Sequence, residues 1–584
     1  MNRNIAIYRS IAGYMGWTPR RGIEEALKVM DPSRPGLYIV DLPTGYGKTA
    51  IFYTLTLSAL LYGEAYGGVY AAPLRSLGDD VYGKWMELMG KLGIREEIVN
   101  TVSGLQHMGQ PGSVFLNKPV VFTTFDTLFL HIHKIPPVEL SKIARGKSLG
   151  HSEVSRARLS DSIVFLDEPH LSVNDEAMLS SMLTTIAYLA RAGSTIVLAT
   201  ATMPRILLET IIHAYSVYGA RNNKNYCRII GAGINVEAAR ECEIIHVDIE
   251  DRESLGTGRV SYGFITSSKI PEIIEENQDR RIAIITNTRR RAKKLYHILR
   301  RRGYELFLLH SLILHRERSR TEEMLKKRSK QRKPLILVAT QVVEAGFDVS
   351  FDIMITDPCP ADSLIQRAGR VARWEGDEEG ELLIVKDVGV EPYDEKIVDY
   401  TVRLLEKDRF SLKNPFDEKG TRGYKLLIEN IYGSEYYRRI ITGALENTRK
   451  RIGTVSKTPL LGVYTAIREL LSGNIVRTAR ILTLMVDDSI NGGKTDEEKG
   501  VDKKTGWEEM IPAPHYLVKK LYDKGLIRGM IDYWGKRRSI DEMLRHCRGN
   551  WNDECLTLYM LTRGIRAFLI DRKTYEEIAY GEDL

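Results

Sequence analysis

Three short stretches carry residue types and spacings that fit phosphoryl chemistry. An apolar run at 37–40 (LYIV) is followed directly by Pro43, Thr44, Gly45, Tyr46, Gly47, Lys48 and Thr49, and then by the helical run AIFYTLTLSALL. Glycines in such a loop let backbone N–H groups turn toward phosphates at a helix N-terminus. Lys48 can reach β and γ phosphates, and the Thr49 hydroxyl can ligate Mg²⁺. A second apolar run, 163–166 (IVFL), ends in Asp167, Glu168, Pro169 and His170. Asp167 can hold Mg²⁺ directly or through water, while Glu168 can orient and deprotonate an attacking water. A further run ends in Thr200-Ala201-Thr202, whose hydroxyls could relay the nucleotide state. The third stretch, Gln366 to Arg373, spaces Arg367, Arg370 and Arg373 three apart, nearly on one face if helical. Arg370 and Arg373 can then stabilise charge on a γ-phosphate, an effect worth about 10³ to 10⁵ in rate. Each stretch also has a plainer reading: a chance loop, a solvated acidic turn, a basic helix face.

Positioning these groups requires a particular scaffold. From 37 to about 385, runs of β-branched and apolar residues (YIVDL, GVYAAP, VVFTTF, SIVFLDE, STIVLAT, RIAIITNT, ELFLLHS, LILVATQ, DIMITD, ELLIVKD) alternate with helix-length segments. Buried strands separated by helices indicate parallel sheets built of βα units. Two α/β lobes are expected, over 1–240 and 241–388, with the change of character near IEDRESLGTGRVSYG. After 388 the strand pattern fades, and a mainly helical C-terminal region is expected over 389–584, interrupted by the polar stretch at 491–506.

The 584 residues allow roughly three to four domains. Hydrophobic residues at 43% and charged residues at 27% exclude disordered, collagen-like and disulfide-scaffold classes. Five scattered cysteines without a CxxC pair fit a reducing compartment, and the N-terminus shows neither a long apolar core nor an A-x-A signal, so no cleavable leader is expected. No apolar run is long enough to span a bilayer. The expected location is cytoplasmic, with no membrane partner. Net charge is +8, but residues 280–333 hold 19 Lys and Arg against 4 Glu. Helical spacing there could present a positive stripe to a phosphate backbone, or simply a solvated face.

The ordered set LPTGYGKT, AAPLRSL, VFTTFDTL, LDEPH, LATATMP, IITNTRRRA, LLHS, VATQVVEAGFDVS and LIQRAGRVAR resembles a superfamily 2 DExH-type helicase. That resemblance implies an α/β fold of two tandem RecA-like lobes, with ATP and Mg²⁺ at their cleft and single-stranded nucleic acid across them. PTGYGKT, the NT-x-x-x-A element at 287–292, His310-Ser311, and TQVVEAGFD followed by ITDPCPADSLIQRAGR are similar to the CRISPR-associated helicase of type I interference systems. That family implies single-stranded DNA pulled 3′ to 5′ with ATP and recruitment by an RNA-guided surveillance complex. It places Pro73, Arg75, Thr123, Thr124, Asn287, His310, Thr340 and Gln341 near the strand. Glu344 and Asp348, with Gly346 between them, match the interlobe segment that senses nucleotide, and Gln366 joins the arginines.

The pattern also departs from the family. Ile23 stands where a glutamine would read adenine, His310-Ser311-Leu312-Ile313 lacks the usual arginine, and Pro169 replaces a small or β-branched residue. None of the 12 histidines is followed by Asp, so an HD-type nuclease is expected to be a separate subunit. Two other readings stay open: an RNA or general DNA-repair helicase, and an ATP-gated clamp or recruitment scaffold that does not unwind. His131 and His133 have a metal-pair spacing but no neighbouring ligand cluster. Trp507, Trp534 and Trp551 could stack on bases or pack in a core.

Overall fold

The computed structural model describes the chain apart from residues 1, 44, 108–109, 145–147, 173–175, 220–225, 232–241, 248–257, 345–346, 375, 418–419, 456–480, 489–508, 533–534, 548–550, 552 and 582–584. Two compact units form: Met1–Glu139 with Lys147–Leu255 and Lys425–Val476, and Leu140–Gly146 with Gly256–Tyr424 and Arg477–Leu584. The chain after 388 therefore contributes to both.

The first unit is built on strands β1 (Gly36–Asp41), β2 (Gly67–Ala72), β3 (Ser103–His107), β4 (Gln110–Pro111), β5 (Val120–Thr124), β6 (Ser162–Asp167), β7 (Thr195–Thr200), β8 (Tyr226–Gly231) and β9 (Glu243–His246). Their order in the sheet is β4-β3-β5-β2-β6-β7-β1-β8-β9. All pairs are parallel except β3 with β4. β1, β2, β5, β6 and β7 are buried at every residue, which is why they read as unbroken apolar runs. β7 separates β6 from β1, so the C-terminal ends of β1 and β6, where the phosphate loop and the acidic pair begin, lie two strands apart on one edge of the sheet. The helix Glu435–Val455 docks on the helix Glu176–Ala192 of this unit. Arg451 Nη1 donates to Ser180 Oγ (2.7 Å) and Ser181 Oγ (3.1 Å), and Asn447 Nδ2 donates to Glu176 Oε1 (2.7 Å).

The second unit holds β10 (Arg259–Ile265), β11 (Arg281–Ile285), β12 (Phe307–Leu309), β13 (Leu335–Ala339), β14 (Ile353–Thr356) and β15 (Glu379–Val385), ordered β10-β15-β14-β11-β13-β12 and all parallel. The same unit carries a mixed sheet of β16 (Ile481–Val486), β17 (Met510–Pro514), β18 (Gly529–Asp532), β19 (Arg537–Arg538) and β20 (Ile565–Ile570). Among the described residues, most regular structure after 388 is helical, as expected, and these five strands were not read from the sequence.

The basic segment is divided by the fold. The helix Arg289–Arg301 buries Ala292 and Leu299 against the sheet face of Ile282, Ile284, Leu308, Ile336 and Val338. The helix His315–Lys330 follows β12 back to β13, and a right-handed crossover places it on the opposite face. Part of the charge is consumed internally: Arg291 pairs with Asp357 at 2.8 Å, and buried Lys293 donates to Ile578 O at 3.2 Å. No single positive stripe results.

The cysteine reading is corrected by the fold. In the β8/β9 ladder Arg228 faces Glu243, so Cys227 and Cys242 lie opposite each other with Cα atoms 4.6 Å apart, joined by a disulfide. Cys547 and Cys555, at the ends of two successive helices, form a second. Scatter along a chain says nothing about proximity across a parallel ladder. Among the described residues no helix is long and apolar enough to cross a membrane, and no His/Cys/Asp/Glu cluster is placed to hold a metal.

A buried charge network braces the second sheet. Arg281, at the start of β11, bonds to Asp352 and to Asp377 (2.9 Å), and Asp377 also accepts from Ser350 Oγ (2.6 Å) and Trp374 N (3.0 Å). Burial opposes ionisation of Asp377, but Ser350, Arg281 and the Trp374 N–H together hold its pKa below the usual carboxylate range. Removing one member strands the others, which costs about 3 to 5 kcal/mol. Arg281→Met is expected to lower the urea unfolding midpoint accordingly at pH 7. A depressed carboxylate pKa stabilises above the unfolded value and loses that contribution as pH falls through the folded value. The gap between wild type and variant should therefore narrow below about pH 4; a gap independent of pH would contradict the assignment.

Candidate active site

The loop after β1 is shaped by two glycines in left-handed conformation, Gly45 (φ 78°) and Gly47 (φ 84°), where a side chain would be strained. An added Cβ at either would meet nothing within 4 Å, so the loop stands open at both glycines. Tyr46, between them, is fully buried and its hydroxyl accepts from Gly22 N at 3.0 Å. Arg20 Nη1 donates to Gly45 O at 3.1 Å. The loop is thus fastened from behind by residues 20–22. Ile23, in the register expected for an adenine-reading glutamine, is fully buried core. Thr44 lies outside the described residues.

Lys48 ends the loop, and the helix Thr49–Tyr62 starts beside it. Its side chain is 6% exposed, and Nζ donates to Leu42 O (3.1 Å) and Pro43 O (3.3 Å) while lying 3.3 Å from Glu168 Oε1. Glu168 leaves β6 with φ 46°, a conformation few side chains adopt, and is fixed there by its N–H bond to Ala199 O at 2.8 Å. Glu168 Oε2 is buried and accepts no hydrogen bond, although His170 Nδ1 lies 3.3 Å away. His170 Nδ1 instead meets Thr200 Oγ1 at 2.8 Å, and Thr200 Oγ1 accepts from Thr202 N at 3.2 Å. Pro169 opens the 3₁₀ turn Pro169–Ser172, a position its fixed φ suits.

Asp167, the last residue of β6, is buried and bonded to the Tyr70 hydroxyl. Burial and the adjacent Glu168 carboxylate push its pKa up, with Tyr70 and Lys48 pulling the other way. Asp167 at the end of β6 and Thr49 at the start of the helix after the loop carry hard oxygen donors of the kind a divalent cation prefers, and such an ion would restore the carboxylate's charge. The orphaned Glu168 Oε2 and the open glycine loop likewise fit a bound triphosphate and its attacking water.

In the second unit the arginine run does not form one helix face. The helix Ala361–Ala368 ends at Gly369, and residues 370–372 turn to bridge Phe351: Phe351 N donates to Arg370 O (2.9 Å) and Ala372 N to Phe351 O (2.8 Å). Arg367 is fully buried, donating from Nε to Glu344 Oε1 (2.8 Å) and from Nη2 to Tyr393 OH (3.2 Å). Arg370 Nη2 donates to Glu344 O at 2.8 Å, while its Nε is buried and unpaired. Arg373 Nη2 lies 3.2 Å from Asp348 Oδ1. The three arginines therefore take three roles, with Arg367 internal. Gln366 is buried, and Gly346 lies outside the described residues.

The expected strand contacts separate into two groups. Pro73 and Arg75 sit at the exit of β2, Arg75 opening the helix Arg75–Lys91 near Asp126 and Asp79. Thr123 and Thr124 end β5, the first donating to Gln106 O at 2.5 Å and the second meeting Thr127 Oγ1 at 3.1 Å. Thr340 and Gln341 follow β13, with Gln341 Nε2 donating to Asn287 O at 3.0 Å. Asn287 and His310 are internal. Asn287 Nδ2 donates to Pro358 O (2.8 Å); His310 Nδ1 accepts from Leu312 N (3.2 Å), so its Nε2 donates to Ala579 O (2.8 Å), and burial lowers its pKa to about 3. His131 and His133 are buried and uncharged, their pKa values lowered by burial to about 3 and about 4. Trp551 packs against the core of the mixed sheet; Trp507 and Trp534 lie outside the described residues.

Two groups near the loop had no sequence signal. Lys425 Nζ bonds Asp41 Oδ2 at 2.8 Å, across 384 residues, and Glu429 Oε1 accepts from Arg205 N at 2.7 Å. Only the docking of the helix Tyr424–Tyr432 reveals them.

Residues 24–210 match the DEAD/DEAH box helicase family, and residues 278–376 match the C-terminal part of CRISPR-associated nuclease/helicase Cas3. The chain is 23% identical over 575 residues to the CRISPR-associated helicase Cas3 of Thermoproteus tenax, covering 95% of this chain and 89% of that protein. It is 24% identical to the CRISPR-associated nuclease/helicase Cas3 of Methanothermobacter thermautotrophicus, covering 64% of this chain but only 43% of that one. A crystal structure of T. fusca Cas3 with ADP superposes with a TM-score of 0.60 at 17% identity, over 86% of this chain and 65% of that chain. A crystal structure of a CRISPR-associated protein gives 0.66 at 20% identity, over 96% and 68%.

The Tyr70 hydroxyl favours ionised Asp167, so Tyr70→Phe should raise that pKa further. One hydrogen bond to a charged group is worth about 1.5 to 3 kcal/mol, or about one to two pH units. The acidic limb of kcat/KM for ATP hydrolysis should move up by that amount; an unmoved limb would mean that Asp167 ionisation does not govern activity.

Proposed function

We propose that this chain, similar to DEAD/DEAH box helicases and to CRISPR-associated Cas3 proteins, is a helicase-type ATPase and an ATP-driven translocase that pulls single-stranded DNA 3′ to 5′ in a type I CRISPR interference system. The observation that carries the ATPase reading is the buried Lys48 ammonium, held by two loop carbonyls and Glu168 at the mouth of an open glycine loop. Phosphate oxygens are stronger partners for an ammonium than carbonyls, so nucleotide would draw Lys48 away and release Glu168. Glu168 would then orient the attacking water and take its proton, with its strained backbone holding the carboxylate in place.

Thr49 and Asp167 would hold Mg²⁺, which supplies neutralisation of the phosphate charge when bound. Arg370, with its unpaired Nε, and Arg373 are the proposed groups for charge developing on the γ-phosphate. Pro73, Arg75, Thr123, Thr124, Thr340 and Gln341, at strand exits, are proposed to line the nucleic-acid path. Asn287 and His310, committed to internal carbonyls, would hold the loops under the strand. Contacts of this kind grip the backbone without reading sequence. A surveillance complex bearing guide RNA is the proposed recruiter, and a separate HD nuclease subunit is the proposed source of strand cleavage.

Lys48→Ala and Glu168→Gln should each abolish DNA-stimulated ATP hydrolysis while leaving binding of a fluorescent oligonucleotide within about twofold, because the interactions they remove act on the reacting phosphate. Wild-type protein should displace a strand from a duplex with a 3′ tail and not from one with a 5′ tail. Stimulation by RNA in preference to matched DNA would favour an RNA helicase. Robust hydrolysis without displacement of any strand would favour a clamp.

A further inference from the structure

The turn bearing Arg370 and Arg373 is held from a side that no motif in it announces. Ala372, between the two arginines, has φ 44°, a left-handed conformation that costs a β-carbon residue energy and persists only when its surroundings impose it. On one side Phe351 bonds the turn at Arg370 O and Ala372 N, and Ser350 Oγ accepts from Arg373 N at 2.8 Å. On the other side lies Lys413. Its Nζ donates to Ala372 O at 2.6 Å and to Gly258 O at 2.9 Å. Gly258 is pressed against the turn as well: a Cβ there would fall 2.3 Å from Ala372 Cβ and 2.7 Å from Ala372 O. Burial lowers the Lys413 pKa to about 8, with Asp377 pulling it up and Arg373 pushing it down, so the ammonium is largely charged at neutral pH.

We propose that Lys413 is a positioning residue for ATP hydrolysis, its ammonium locking the Ala372 carbonyl and thereby the directions of Arg370 and Arg373. The proposal rests on the reading of those arginines as the groups that meet the γ-phosphate. Two bonds of this ammonium go to backbone carbonyls, one of them at the strained residue itself. Without it, both carbonyls lose a charged donor and the left-handed turn loses the contact that opposes its relaxation. The consequence falls on orientation of the arginines at the transition state, and so on kcat, with ATP binding little changed.

The test is a double-mutant cycle in the full-length protein, read by single-turnover ATP hydrolysis with saturating DNA oligonucleotide. Lys413→Met should slow hydrolysis about 10- to 100-fold, the rate equivalent of one charge-assisted hydrogen bond, with KM for ATP within about twofold. Lys413→Arg, which keeps a charged donor, should recover most of that rate. Arg373→Ala should be slow alone, and adding Lys413→Met to it should slow it little further. Should Lys413→Met fail to fold, Lys413→Gln, which keeps a neutral donor, enters the same cycle and should lose less. Multiplying losses in the double variant, or a loss that follows a fall in folded fraction seen by melting, would overturn the positioning role while leaving the site reading intact. Full hydrolysis by both Arg373→Ala and Arg370→Ala would overturn the site reading and this proposal together.

Discussion

A buried ammonium must be compensated, and in this molecule the compensation of Lys48 organises the first unit. With 6% of its side chain exposed, Lys48 relies on Leu42 O, Pro43 O and Glu168 Oε1. An uncompensated charge in that position would cost several kcal/mol. Each partner is delivered by a different part of the sheet: the carbonyls by the exit of β1, the carboxylate by the exit of β6, two strands away. The parallel order of the sheet makes that meeting possible, because every strand exit of that kind faces the same edge. A resting arrangement of this sort also defines what a triphosphate replaces.

The second unit applies the same rule to its own charges. Arg367 is fully buried on Glu344, Arg281 is buried on Asp352 and Asp377, and the half-buried Lys413 bonds two carbonyls. Arg370 alone among the arginines of the turn keeps a buried donor atom unpaired among the described residues. Arg370, assigned to the reaction, thus retains a donor that the bracing Arg367 has already committed. The tail of the chain enters both kinds of arrangement: Lys413 reaches the arginine turn of its unit, and Lys425 reaches Asp41 at the end of β1 in the other.

Ten strands were legible because each contains a short apolar run, and most of them are buried on both faces. Those missed carry a weaker local signal. β3 reads SGLQH, too polar for an apolar run although it is buried at every residue, and β10 is exposed or half-exposed along its whole length. β17 contains two prolines, a composition that argues against a strand until its antiparallel partner β16 is seen. The phosphate loop and the acidic pair were legible because their chemistry is local. The arginine run was legible in type and not in shape: spacing of three implies a helix face, but Gly369 and the bridge to Phe351 end the helix first. Asn287 and His310 show the same limit, since a motif position cannot reveal that its side chain is already bonded inside the lobe. Ion pairs such as Lys425 with Asp41 and the disulfide ladder at Cys227 have no local signature at all.

The central claim is that Lys48 is held in waiting by groups that nucleotide displaces. A crystal structure of the protein soaked with a non-hydrolysable ATP analogue and Mg²⁺ tests it most directly. The account predicts Lys48 Nζ within hydrogen-bond distance of phosphate oxygens and parted from Leu42 O, Pro43 O and Glu168. Lys48 unmoved on those three partners, with nucleotide fully bound in the loop, would contradict it.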